Sequence, residues 1–145
     1  MIYLLRHGDA EPDRGEGDAA RRLTEKGRDQ ADAAGRAIAR LGFELDGCLT
    51  SPKVRALETA KLACTHLGIE PELSQEIADG YYDSLALVAG RGDLLLVGHE
   101  PDMSAEIGRL TAANVKLKKG GFAVLEPGVL RILMRPAELA AIAAA

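Results

Sequence analysis

Two of the three histidines stand directly after short apolar runs. Ile2 to Leu5 leads into Arg6-His7-Gly8, and Leu94 to Val97 leads into Gly98-His99-Glu100-Pro101. A third such segment ends at Ser51-Pro52, with Arg55 one helical turn further on. Brought together, two guanidiniums and two imidazoles repel unless an anion lies between them. Arginine forks match phosphate oxygens in a bidentate way, so a phosphoryl group is the natural occupant. Histidine is also a nucleophile towards phosphorus. Phosphoryl transfer depends mainly on positioning and on neutralising the equatorial oxygens. These residues therefore suit in-line attack by a neutral His7 while Arg6, Arg55 and His99 hold the oxygens. Water would then attack the phosphohistidine. The arginines supply the positive charge, so the reading calls for no metal and no other cofactor, and no His/Asp cluster has metal-ligand spacing.

The elements that must position these side chains follow from the pattern. Ile2 to Arg6 reads as a buried strand and Asp9 to Arg22, rich in Gly, Asp, Glu and Arg, as a loop. Thr24 is an N-cap for a helix to about Arg40, with Ala31, Ala34, Ile38 and Leu41 at helical spacing and Gly42 as the stop. Leu45 to Thr50 is a second strand. Ser51 as N-cap and Pro52 at the first position open a second helix, whose apolar face is Leu57, Ala60, Cys64 and Leu67 and which Gly68 ends. Residues 69 to 80 read as irregular, and Tyr81 to Ala89 as a short helix. Leu94 to Val97 is a strand, and Pro101 starts a helix to about Ala112. Gly121 to Glu126 and Val129 to Met134 flank Pro127-Gly128 as a β-hairpin, and an Ala-rich helix begins near Pro136.

Apolar strands separated by helices predict an α/β fold: a three-layer α/β/α sandwich with a mainly parallel central sheet and a C-terminal β-hairpin. Residues 1–145 read as a single domain. Ligands in such folds gather at the carboxyl ends of the strands, where Arg6-His7, Ser51 and His99 all fall.

The formal net charge of -4 argues against a nucleic-acid ligand, because such binders usually carry a basic face. With aromatics at 3%, a platform for stacking bases is not expected. No apolar run approaches the length of a membrane span and no signal segment is evident, so a cytoplasmic protein away from the membrane is expected. Cys48 and Cys64 lack ligand spacing and read as two buried free thiols. Arg55 and Glu58 are spaced for an i,i+3 pair in which Glu58 would orient Arg55. His66 reads as a surface residue near a helix C-terminus. Arg21-Arg22 and the run Lys116, Lys118, Lys119 read as solvated charge, with docking of an acidic protein as the sharper alternative for the lysines.

Four segments together resemble the histidine phosphatase (phosphoglycerate mutase-like) superfamily. Leu5-Arg6-His7-Gly8 resembles its signature, and Leu23-Thr24-Glu25-Lys26-Gly27 its LTxxG element. Ser51 to Ala60 resembles its SPxxRAxxTA element, and Gly98-His99-Glu100-Pro101 its late GHxP element. The resemblance implies an α/β/α sandwich, His7 as phospho-acceptor, and Arg6, Arg55 and His99 as the residues that bind the phosphoryl group. The run Arg6 to Ala10, the run Gly98 to Ser104 and the short length are similar to the SixA-type phosphohistidine phosphatases. Little chain lies between Thr59 and Gly98 to make a lid, so an open site that takes phosphohistidine on a partner protein is expected. The alternatives are a small-molecule phosphomonoesterase or phosphoglycerate mutase-like enzyme of the same superfamily, and a catalytically silent phosphoprotein-binding module. The resemblance implies a carboxylate acid after the SPxxRAxxTA element; Glu76 is the best placed by position, and the choice stays open among Glu76, Asp79, Asp83 and Asp9.

Overall fold

The computed structural model describes residues 1–145. Strands β1 (Ile2–Arg6), β2 (Gly47–Thr50), β3 (Pro71–Leu73), β4 (Leu94–Gly98), β5 (Phe122–Glu126) and β6 (Val129–Met134) form one sheet in the order β3-β2-β4-β1-β5-β6. The first four strands of that order run parallel, and β5 and β6 are antiparallel additions. Helices α1 (Glu25–Arg40), α2 (Val54–Cys64), α3 (Ser84–Val88), α4 (Asp102–Thr111) and α5 (Pro136–Ala144) complete the chain. The expected sandwich, mainly parallel sheet and terminal hairpin are all present.

Strand side chains alternate between faces, and that alternation divides the core. Tyr3, Leu5, Leu95 and Val97 pack with Ala34, Ile38, Ala60 and Leu139 from α1, α2 and α5. Ile2, Leu4, Leu94 and Leu96 pack on the other face with Met103 and Ile107 from α4. Strands β1 and β4 are neighbours, in register Arg6↔Gly98, yet the helices that follow them leave to opposite faces. That divergence opens a crevice at their carboxyl ends, the usual ligand position of an open α/β sheet.

Small residues bring the layers close. A Cβ on Gly8 would lie 2.5 Å from the Gly27 carbonyl oxygen, and one on Gly27 would collide with the Asp9 carbonyl oxygen. The start of α1 therefore packs directly on the turn after β1. Thr24 caps α1 as expected, its Oγ1 accepting from Gly27 N at 3.0 Å.

Three expectations change. Pro71–Leu73, expected to be irregular, is an edge strand parallel to β2. Three residues carry no periodicity, and Pro is tolerated at a sheet edge. Helix α2 begins at Val54 with Lys53 at the N-cap, not at Ser51-Pro52. Its buried face is Ala56, Thr59, Ala60, Ala63 and Cys64, with Leu57 only half-buried. Close approach to α1 demands small side chains there: a Cβ on Gly35 would lie 2.5 Å from the Ala63 carbonyl oxygen. Cys48 and Cys64 are free and buried, and no helix is long and apolar enough to cross a membrane.

Candidate active site

The strand ends bring the expected side chains together. His7 follows β1 and is tied to β4, its N–H donating to the Gly98 carbonyl at 3.0 Å. The His7 and His99 rings lie 5.2 Å apart between centroids. Arg55 comes in from α2, which Thr59 clamps to the turn after His7. Gly8 N donates to Thr59 Oγ1 at 3.1 Å, and that hydroxyl donates to the Arg55 carbonyl at 2.7 Å. Relative exposure is 6% for His7, 6% for Arg55 and 5% for His99.

His7 Nδ1 is 2.7 Å from the Gly8 carbonyl oxygen. A carbonyl oxygen only accepts, so Nδ1 carries the proton and Nε2 keeps a bare lone pair. Burial lowers the His7 pKa to about 4, and the charges of Arg55, Arg6 and Lys119 push in the same direction. The ring is therefore neutral at pH 7, the form in which it is nucleophilic. His99 is also pushed down, to about 3, by burial first and then by His7, Arg55 and Lys53. Its Nε2 is 2.8 Å from Ser51 Oγ, and Lys53 N donates to that oxygen at 3.2 Å. Ser51 thus orients His99 rather than capping α2.

Three nitrogens of the cluster are buried without a hydrogen-bond partner: Arg6 Nε, Arg55 Nε and His99 Nδ1. Such orphans are uncommon and call for an explanation. Outer nitrogens of both guanidiniums are anchored elsewhere. Arg6 Nη1 donates to the Leu117 carbonyl at 2.9 Å. Arg55 Nη1 donates to the Asp18 carbonyl at 2.8 Å and Nη2 to Asp18 Oδ2 at 3.1 Å. Chemically, the cluster offers one bare imidazole nitrogen and several fixed cationic donors to a tetrahedral anion.

Asp18 is the residue that the sequence reading missed. Its segment, 9 to 22, read as a loop, but Asp18–Ala20 forms a short 3-10 turn that reaches Arg55. Arg21, Arg55 and Lys53 hold its carboxyl far below the usual carboxylate range. The pairing expected between Arg55 and Glu58 is absent: Glu58 Oε1 accepts from Leu23 N at 3.0 Å, and Asp18 takes the arginine. The surroundings of Arg55 are thus covered from the segment after β1, not from the short stretch between α2 and β4. A lone Asp in a polar loop has no periodic signal. His66 Nε2 contacts Asp32 Oδ1 at 2.6 Å and links the turn after α2 to α1.

The four carboxylates considered as acids fall in different places. Asp83 caps α3 and pairs with Arg109 at 3.3 Å. Asp9 Oδ2 accepts from Thr24 Oγ1 at 2.9 Å. Glu76 is exposed on the turn Gln75–Ile77. Asp79 pairs with Lys53 at 2.6 Å, and its charge opposes the other influences on His99. No group of three or more His, Cys, Asp and Glu side chains is arranged to hold a metal ion.

A sheet crevice holding a bare histidine among arginines defines a phosphoryl-handling α/β protein, and the comparisons with known proteins say which kind. The sequence model of the histidine phosphatase superfamily (branch 1) matches residues 2–86, so the chain belongs to that superfamily. An uncharacterized protein of Picosynechococcus is 34% identical over 145 aligned residues, covering 90% of this chain and 87% of that one. The mitochondrial serine/threonine-protein phosphatase Pgam5 of Drosophila ananassae is 41% identical over 71 residues, 49% of this chain and only 24% of that protein. Among solved structures, one described as a phosphohistidine phosphatase SixA from Agrobacterium tumefaciens superposes with a TM-score of 0.78 at 27% identity, covering 93% of this chain and 97% of that one. The protein histidine phosphatase SixA complexed with tungstate shares the fold with a TM-score of 0.80 at 22% identity, covering 95% and 98%. A phosphoserine phosphatase from Entamoeba histolytica shares it with a TM-score of 0.70 at 17% identity, covering 93% and 96%.

Proposed function

We propose that the chain is one catalytic domain, residues 1–145, that hydrolyses phosphohistidine on a partner protein through a covalent phosphohistidine on His7. The observation that carries this reading is the His7 tautomer. The Gly8 carbonyl pins Nδ1–H, so Nε2 is left with its lone pair beside Arg6, Arg55 and His99.

In the first step His7 Nε2 attacks phosphorus and the substrate N–P bond breaks; the departing imidazole takes up a proton from solvent, which the attacking water returns in the second step. Arg6, Arg55 and His99 hold the equatorial oxygens, whose charge they meet in place of solvent. His99 donates through Nδ1–H when the Ser51 hydroxyl donates to Nε2. In the second step water attacks phosphorus, the His7 N–P bond breaks, and phosphate leaves with His7 neutral again. A labile N–P bond asks less of a general acid than a phosphate ester does. That suits a cluster in which no carboxylate touches the imidazoles. Of the four, Asp79 is the one whose charge acts on His99.

Hydrolysis of small phosphomonoesters is the second reading, favoured by the fold shared with the Entamoeba phosphoserine phosphatase. The test compares turnover of a phosphohistidine-bearing protein with turnover of a panel of sugar phosphates and phosphoglycerates. The proposal expects the protein substrate to be turned over with the higher kcat/KM. Rapid, saturable turnover confined to the small esters would reverse the order. Phosphate binding without turnover of anything would leave only a binding module.

A further inference from the structure

Beside Arg6 runs an open groove with a volume of about 420 Å³, lined by Arg6, Lys26, Lys118, Lys119, Arg135 and a single carboxylate, Asp9. On a chain whose formal net charge is -4, five cations along one groove are a marked local excess. The backbone on one side of the groove is fixed in the fold. The turn that carries Lys118 and Lys119 is bonded to the strand end that bears His7. Gly120 N is 2.9 Å from the His7 carbonyl oxygen and 3.2 Å from that of Arg6, and Gly121 N donates to the Lys118 carbonyl at 2.7 Å. Gly120 makes this bend with a φ of +74, and the Arg6 side chain closes on Leu117 from the other side. Lys119 lies close enough to His7 for its charge to oppose protonation of the ring.

The groove also gathers charge against local helix preference. Lys26 sits in the first turn of α1 and Arg135 at the N-cap of α5, where the helix dipole favours anions, not cations. Arg135 is balanced by Glu138 at 2.9 Å. Asp9 answers Thr24 and Lys119, the latter at 3.5 Å. Lys26 and Lys118 are in no ion pair, although Lys26 also feels Asp9. These are exposed lysines on flexible stems, with no buried polar side chain among them, which suits an extended acidic surface better than one small anion.

We propose that this groove docks an acidic segment, rich in Asp and Glu, that flanks the phosphohistidine of the protein substrate. The inference rests on the substrate class argued above and specifies it: the partner presents its phosphoryl group beside carboxylates that lie along Lys26, Lys118 and Lys119.

The test uses a fluorescent deca-glutamate peptide and two phosphohistidine peptides, one with glutamate and one with lysine flanks. Deca-glutamate is expected to bind the intact protein at low salt, and the double variant K26E/K118E to lose that affinity at least tenfold. The glutamate-flanked phosphopeptide is expected to exceed the lysine-flanked one at least tenfold in kcat/KM, a preference the double variant loses while its turnover of p-nitrophenyl phosphate stays within twofold. Failure of deca-glutamate to bind, equal affinity in the variant, or equal use of both phosphopeptides would overturn the groove assignment. Turnover of p-nitrophenyl phosphate with none of either phosphopeptide would instead overturn the substrate class, and the deca-glutamate binding would still decide the groove.

Discussion

Strands β1, β2 and β4 have two ends built on opposite terms. At the amino ends polar groups answer one another: Asp93 N donates to Asp46 Oδ2 at 2.8 Å, and Asp46 N donates to the Asp93 carbonyl at 2.8 Å. At the carboxyl ends Arg6 Nε, Arg55 Nε and His99 Nδ1 are buried with no partner. Each such group costs about 1–3 kcal/mol. The two imidazoles beside them are held neutral where solvent would let them charge near pH 6.5. The same apolar strands run between both ends, so the contrast belongs to the termini alone. One end is arranged for stability and the other gives stability up to face an anion.

Mutations should separate the two ends. The largest effect is expected at His7. His7→Ala should lower kcat by about 10³-fold or more while the protein stays folded, because the nucleophile goes and the apolar strands remain. Circular dichroism beside steady-state turnover checks it. Arg55→Ala should cost about 10²–10³-fold, and Arg55→Lys should recover little, since an ammonium lacks the fork.

pH sharpens the comparison through stability. The folded pKa of His7, about 4, lies below the unfolded value near 6.5, so the unfolded chain binds more protons between them. Stability should therefore be present above pH 6.5 and fall as pH drops towards 4, by about 3 kcal/mol from His7 alone. Urea titrations across that range should show a shallower slope for His7→Gln. A slope unchanged in the variant would mean that His7 is not held neutral by the fold.

Smaller effects remain. Asp18→Ala frees Arg55 Nη2 from the carboxylate, leaving Nη1 on the Asp18 backbone carbonyl, and should lower kcat about tenfold through misplacement of the fork. Asp18→Asn, which keeps an acceptor, should recover part of that loss. At the opposite end, Asp46→Ala should cost about 1 kcal/mol of stability and leave turnover unchanged. A large activity loss there would blur the distinction between the two ends.

Much of this was legible in the residues. Apolar runs ending in Arg6-His7, Ser51 and His99 announce both the parallel sheet and the meeting of side chains at its carboxyl ends. Gly8 and Gly27 stand in the motifs by resemblance alone, and only the structure shows that they touch backbone to backbone. What stayed hidden depended on tertiary partners. Asp18 sits in a polar loop whose course periodicity does not describe, and Ser51 looked like a helix cap until His99 claimed its hydroxyl. The edge strand Pro71–Leu73 is too short for any period to appear. Leu57 falls on the apolar face by sequence pattern, while close contact with α1 selects the smaller Ala56, Thr59, Ala60 and Ala63.

The central claim is that His7 Nε2 forms the covalent bond to phosphorus. Rapid acid-free quenching during turnover of a phosphohistidine protein, followed by peptide mapping under alkaline conditions, tests it directly. The account predicts an acid-labile phosphoryl group on His7, absent from His7→Ala. Turnover at full rate with no phosphate on His7, or with phosphate on another residue, would contradict it.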